Sequence, residues 1–113
     1  MWSRLDDRLI DHEKIFAAGD LITKNGNGPV MALGFYTLCL MWSNKHLTDG
    51  VISAATMKGF HHAKHPLKLA RVLEHVGLLE QVEGGWQIHD FHDYNPTAAA
   101  VKQRQKDRHL NRR

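Results

Sequence analysis

The sequence predicts a mostly helical α+β fold, and three observations predict it. Apolar residues recur at helical spacing in several separate stretches. Between Leu78 and His89 the pattern changes to two short strands around Glu83-Gly84-Gly85. Apolar residues make up 42% of 113 residues, enough for one core in one domain.

The stretch His65 to Asp90 organises the rest. Pro66 suits a first helical position, where its missing N–H would be unpaired anyway. Leu69, Val72, Leu73 and Val76 fall at i, i+3, i+4, i+7 and predict a buried face. Lys64, Lys68, Arg71 and His75 fall on the opposite side. Gly77 ends the helix, because the left-handed conformation costs glycine little. Leu78 to Val82 and Trp86 to His89 then form a β-hairpin. A helix of about 65–76 with one buried and one basic face, followed at once by a hairpin, is the outline of a winged helix-turn-helix.

The remaining elements fit around it. Trp2 to Leu5 reads as a short strand or extended arm. Asp11 is the expected N-cap of a short helix through Lys14 to Ala18, which Gly19 ends or kinks and which Leu21 and Ile22 extend. Glu13 and Lys14 read as plain surface. Lys24 to Pro29 is a turn-rich connector. It resembles a phosphate-binding glycine loop only in composition, since no Lys-Ser/Thr follows. Val30 to about Asn44 is apolar all round, which predicts a central helix buried on most sides. Gly34 within it suggests close packing of a neighbour, and its Met and aromatic residues read as core. Asp49-Gly50 is a turn into a strand at Val51-Ile52, and Ser53 caps a short helix from Ala54 to Gly59 or Phe60. After the hairpin comes an aromatic exit segment, Asp90 to Pro96, with Thr97 as a cap. The expected domains are therefore 1–96, the winged-helix domain, and 97–113, a basic C-terminal helix or tail.

Charge is unevenly spread. Residues 58–77 hold four Lys/Arg against Glu74, and residues 97–113 hold six against Asp107. Residues 78–96 hold four acids and no Lys or Arg. Two basic blocks in a small domain point to a polyanion. The expected contacts are Lys58, His61, His62, Lys64, His65, Lys68, Arg71 and His75 around the reading helix. In the tail they are Lys102, Arg104, Lys106, Arg108, Arg112 and Arg113. Lys and Arg neutralise phosphates, Arg71 is also suited to a guanine edge, and histidines donate to phosphate.

Other chemistry is poorly represented. Neither His61-His62-x-x-His65 nor His89-Asp90-x-His92-Asp93 has metalloprotease spacing, and one cysteine excludes the Cys-rich zinc patterns. Cys39 lies in an apolar run and reads as a buried small hydrophobe. No catalysis, cofactor or metal is expected. No stretch has the layout of a signal peptide. The longest apolar run, Val30 to Trp42, is short of the roughly 18–20 residues a membrane span needs. The expectation is a soluble cytoplasmic protein with no membrane partner.

Several segments also occur together in order: Trp2-x-Arg4-Leu5-Asp6-Asp7, Asp11-His12-x-Lys14, Leu47-Thr48-Asp49-Gly50, Val76-Gly77-Leu78-Leu79-Glu80 and Gly85-x-x-Ile88-His89-Asp90-Phe91-x-x-Tyr94-Asn95-Pro96. Together they resemble the winged-helix domain of phage and prophage replication-initiation proteins of Gram-positive hosts (replisome organisers, DnaD-like N-terminal domains). The resemblance covers most of residues 1–96. It implies binding of double-stranded DNA in replication initiation or transcription regulation, at the nucleoid of a bacterial host. Two departures stand out. Such proteins carry a further C-terminal region for helicase-loader or single-strand contacts, and the basic tail here does not imply that activity. The wing carries Glu80 and Glu83 and no basic residue, leaving only the Gly84 and Gly85 amides, Gln81 and Gln87 to meet phosphate. The alternative is a winged-helix interaction module that binds a host or replisome protein through its acidic hairpin. A homodimer is left open.

Overall fold

The computed structural model describes residues 12–89 and 98–110. The elements are α1 (Glu13–Ile22), α2 (Gly28–His46), β1 (Val51–Ser53), α3 (Ala54–Lys58), α4 (Pro66–His75), β2 (Leu79–Val82), β3 (Gly85–Ile88) and α5 (Ala98–Leu110). The fold is α+β and mostly helical. Its one small sheet is antiparallel, in the order β1-β3-β2. This arrangement is compatible with a winged-helix layout. The arm at Trp2 to Leu5, Asp11, the exit segment Asp90 to Pro96, Thr97, Arg112 and Arg113 lie outside the described residues.

Helix α1 is longer than its sequence suggests. Its cap is His12, whose Nδ1 accepts from the Lys14 amide at 3.1 Å. Gly19 does not end it: the helix runs on to Ile22, and Thr23 closes it. Gly19 is needed for a different reason. A Cβ there would collide with the backbone of Gly28 and Pro29, and a Cβ on Gly28 would collide with the Gly19 carbonyl. The two glycines let α1 and α2 cross in near backbone contact. The connector is accordingly shorter than expected, because Gly28 and Pro29 already belong to α2.

Helix α2 is not buried on most sides. Ala32, Phe35, Cys39 and Leu40 are in the core, but Val30 is 76% exposed, Met31 44% and Met41 56%. Among the described residues Gly34 has no packing neighbour: nothing outside its own helix lies within 4 Å of a Cβ built there. An all-apolar helix has no periodic phase, so its sequence does not reveal which face is covered.

The turn after α2 is pinned by a buried serine. Ser43 Oγ accepts from the Gly50 amide at 2.6 Å and bonds Thr48 Oγ1 at 2.7 Å. Leu47, Asp49 and Gly50 all have positive φ, so the chain reverses within four residues. The Ile88 amide then donates to the Gly50 carbonyl at 2.8 Å, which joins the turn to the sheet. Ser53 caps α3 as expected, accepting from the Thr56 amide at 3.2 Å. The hairpin turn is two residues, Glu83-Gly84, with Gly84 at φ +81. Gly85 is the first residue of β3, where a Cβ would meet the Ile52 carbonyl of β1.

One core joins these parts. Ile15 and Ala18 of α1, the inner face of α2, Ile52, Met57 and Phe60 enclose Leu69, Ala70 and Leu73 of α4, with Leu79, Trp86 and Ile88 beneath. Burying a side chain such as Leu73 contributes roughly 1.5–3 kcal/mol.

Candidate nucleic-acid interface

Helix α4 packs against α1, α2, α3 and β2, which leaves an outer face. Leu69, Ala70 and Leu73 are buried, while Val72 and Val76 are only half-buried. The buried face is thus shifted toward Ala70 relative to the predicted stripe. Lys68, Arg71 and His75 are exposed and share the outer face. Lys64 is exposed too, but it precedes the helix: α4 begins at Pro66 with His65 as its cap.

Phe60 fixes the approach to α4. Its ring lies 6.3 Å from Phe35 and 6.2 Å from Trp42, so the turn of residues 60–65 is anchored on α2. His62 then stands edge-on to Phe60 at 6.4 Å. His61 and His62 are exposed.

The structure gathers part of the predicted set. Lys58 at the end of α3, with Lys64, His65 and Lys68, borders a shallow cleft of about 610 Å³ together with Pro66 and Leu67. The three lysines and His65 surround the N-terminal end of α4. Its first amides have no partner within the helix and its macrodipole is positive there. Arg71 and His75 continue the basic surface along the helix. Glu74, the one acid in this region, is turned away: it is half-buried and its Oε1 accepts from the Trp86 indole N–H at 2.8 Å.

In α5, Lys102, Arg104, Lys106 and Arg108 are all exposed. At about 100° per residue, Lys102 and Lys106 share one face and Arg104 and Arg108 the opposite one. One side of the helix therefore offers two of these four cations to a straight backbone.

Two of the four hairpin groups suited to phosphate are engaged or covered. Gly85 is buried in β3, and Gln87 Nε2 donates to the Asp49 carbonyl at 3.4 Å. Glu80 and Glu83 are exposed, and Glu80 Oε1 meets His89 Nδ1. Gln81 and the Gly84 amide are left of the expected set.

Two features went unread in the sequence. Lys14 is not plain surface: it is half-buried and its Nζ reaches the Gly77 carbonyl at 3.4 Å, placing a cation at the C-terminal end of α4. Nothing local to residue 14 signals this contact. The second feature is an apolar groove of about 600 Å³ between α1, α2 and α4. Its α2 wall, Met31, Gly34, Phe35 and Leu38, does have helical spacing. Only the lack of a covering neighbour among the described residues marks it as a groove.

Among the described residues no group of three or more His, Cys, Asp or Glu side chains is placed to hold a metal ion. Among them, too, no helix is long and apolar enough to cross a membrane. Burial pushes the Cys39 thiol up to about 12. Comparison with protein-family models, with curated proteins and with solved structures finds no match.

Proposed function

We propose that this chain is a winged-helix protein that binds double-stranded DNA, with α4 as the reading helix and the β2–β3 hairpin as its wing. The observation that carries the reading is the convergence of Lys58, Lys64, His65 and Lys68 on the N-terminal end of α4. That end of a reading helix is the part that meets base edges in the major groove. The order α2, β1, α3, α4, β2, β3 and the sheet order β1-β3-β2 agree with the layout. Lys58, Lys64 and Lys68 would take phosphates, Arg71 a phosphate or a guanine edge, and α5 would add sequence-independent contacts. The resemblance to phage replication-initiation domains favours a role in replication initiation or transcription regulation.

A salt series tests the reading. Duplex DNA of random sequence should bind, with log K falling by roughly 0.9 per neutralised phosphate per log unit of salt. Absence of binding at low salt would overturn DNA recognition. It would favour the interaction module, for which the exposed Glu80 and Glu83 of the hairpin are the supporting feature.

A further inference from the structure

We propose that the groove between α1, α2 and α4 is a binding site for a lipophilic monocarboxylate. Its body is apolar: Ile22 from α1, Met31, Phe35 and Leu38 from α2, and Leu69 and Val72 from α4. Gly34 forms part of the α2 wall, and among the described residues nothing outside its own helix lies within 4 Å of a Cβ built there. One edge is different. His62, Lys64, His65 and Lys68 stand there together, and among the described residues no Asp or Glu lines the groove. A cavity of about 600 Å³ lies within the roughly 300–1,000 Å³ range of small-molecule sites, which are mostly apolar with a few polar groups that orient the ligand.

The charge pattern selects the ligand class. An apolar chain displaces water from Met31, Leu38 and Val72 at roughly 25 cal/mol per Å² buried. A single anionic end then meets the ammonium groups of Lys64 and Lys68 and gains charge-assisted hydrogen bonds. A neutral amphiphile gains only the first term. A dication or a cationic amphiphile is repelled by the edge. A protein partner is less well served, because a stable protein interface buries about 1,200–2,000 Å² and the groove is a local cleft. Lys64 and Lys68 also belong to the face proposed for DNA. An occupied groove therefore weakens DNA binding, a consequence that rests on the DNA reading whereas the site itself does not.

Calorimetric titration of the full chain with decanoate, in the absence of DNA, tests the site. The expected result is saturable one-to-one binding, with decanol at least tenfold weaker. Lys68→Gln, at an exposed position, should weaken decanoate at least tenfold and leave decanol unchanged. Gly34→Leu should abolish decanoate binding, and an unchanged circular dichroism spectrum with a melting temperature no lower than the parent's will show that it folds. Equal affinity for decanoate and decanol, or full affinity in folded Gly34→Leu, overturns the proposal. So does binding to phosphatidylglycerol vesicles without binding of free decanoate. A DNA titration with and without decanoate then reads the coupling, which should appear as at least a threefold loss of DNA affinity. If DNA does not bind at all, the decanoate result stands by itself.

Discussion

Trp86 in the hairpin donates its indole N–H to the carboxylate of Glu74 on α4 at 2.8 Å. The bond does two things at once. It fixes the hairpin against the helix that is proposed to read DNA, and it draws the one acid of that helix away from the basic face. Replacing Glu74 by Ala leaves the indole N–H without its acceptor in a half-buried site. A loss of about 1–3 kcal/mol is expected, with Glu74→Gln losing less because an acceptor remains. Urea unfolding at unchanged m-value measures both; equal stability of Glu74→Ala and the parent chain would remove the bond from the account.

The two glycines of the helical pair predict opposite outcomes. Gly19→Ala forces a Cβ into the backbone of Gly28 and Pro29. Overpacking of this kind costs typically 1–3 kcal/mol, and backbone on both sides leaves little room to yield. Gly34→Ala meets open space in a helix interior and should stabilise by up to about 1 kcal/mol. Thermal unfolding of the two variants side by side checks the pair, and a stabilising Gly19→Ala would contradict the close crossing of α1 and α2.

Charge reversal separates the proposed reading helix from the tail. Lys68→Glu or Arg71→Glu should weaken duplex binding at least tenfold. Deleting residues 98–113 should lower affinity without altering sequence preference, because contacts to the backbone carry no sequence information. Fluorescence anisotropy against two unrelated duplexes measures both effects. Full affinity in both charge reversals would sink the assignment of α4.

Cys39 offers a readout of the core. Its thiol is buried and pushed up from 9.0 to about 12 by desolvation. The folded state therefore holds the proton more tightly than the unfolded chain. Its contribution to stability is complete below pH 9 and is lost progressively as pH rises from 9 toward 12. In the folded protein the thiol should resist a disulfide reagent at neutral pH and react at once in urea. Rapid labelling of the native protein would mean that α2 is far less covered than the structure has it.

The legible parts of the fold are those with short-range signals. Pro66 at the first turn of α4, Ser53 as the cap of α3, Gly77 after α4 and Gly84 in the hairpin each act within a few residues, and each is where its chemistry predicts. The basic set around α4 was legible as well, though its grouping was not. Lys64 lies before the helix, so helical phase did not determine its place. It joins Lys58, His65 and Lys68 because Phe60 anchors the turn between Phe35 and Trp42.

Residue type and spacing by themselves determined the mostly helical α+β class, the element order through the hairpin and the two basic blocks. Those features depend on local backbone preference and on side-chain period, which neighbours in the chain carry. Tertiary structure decided which face of α2 stays open, what Gly19 is for, where Lys14 reaches and what Glu74 holds. In each case the partner lies on a distant part of the chain: Gly28 across the α1–α2 crossing, the Gly77 carbonyl at the end of α4, the Trp86 indole on β3. An apolar helix surface or a lone charge is compatible with several such partners. Only packing of the whole domain selects one, because the free energy of burial belongs to the pair and not to either residue.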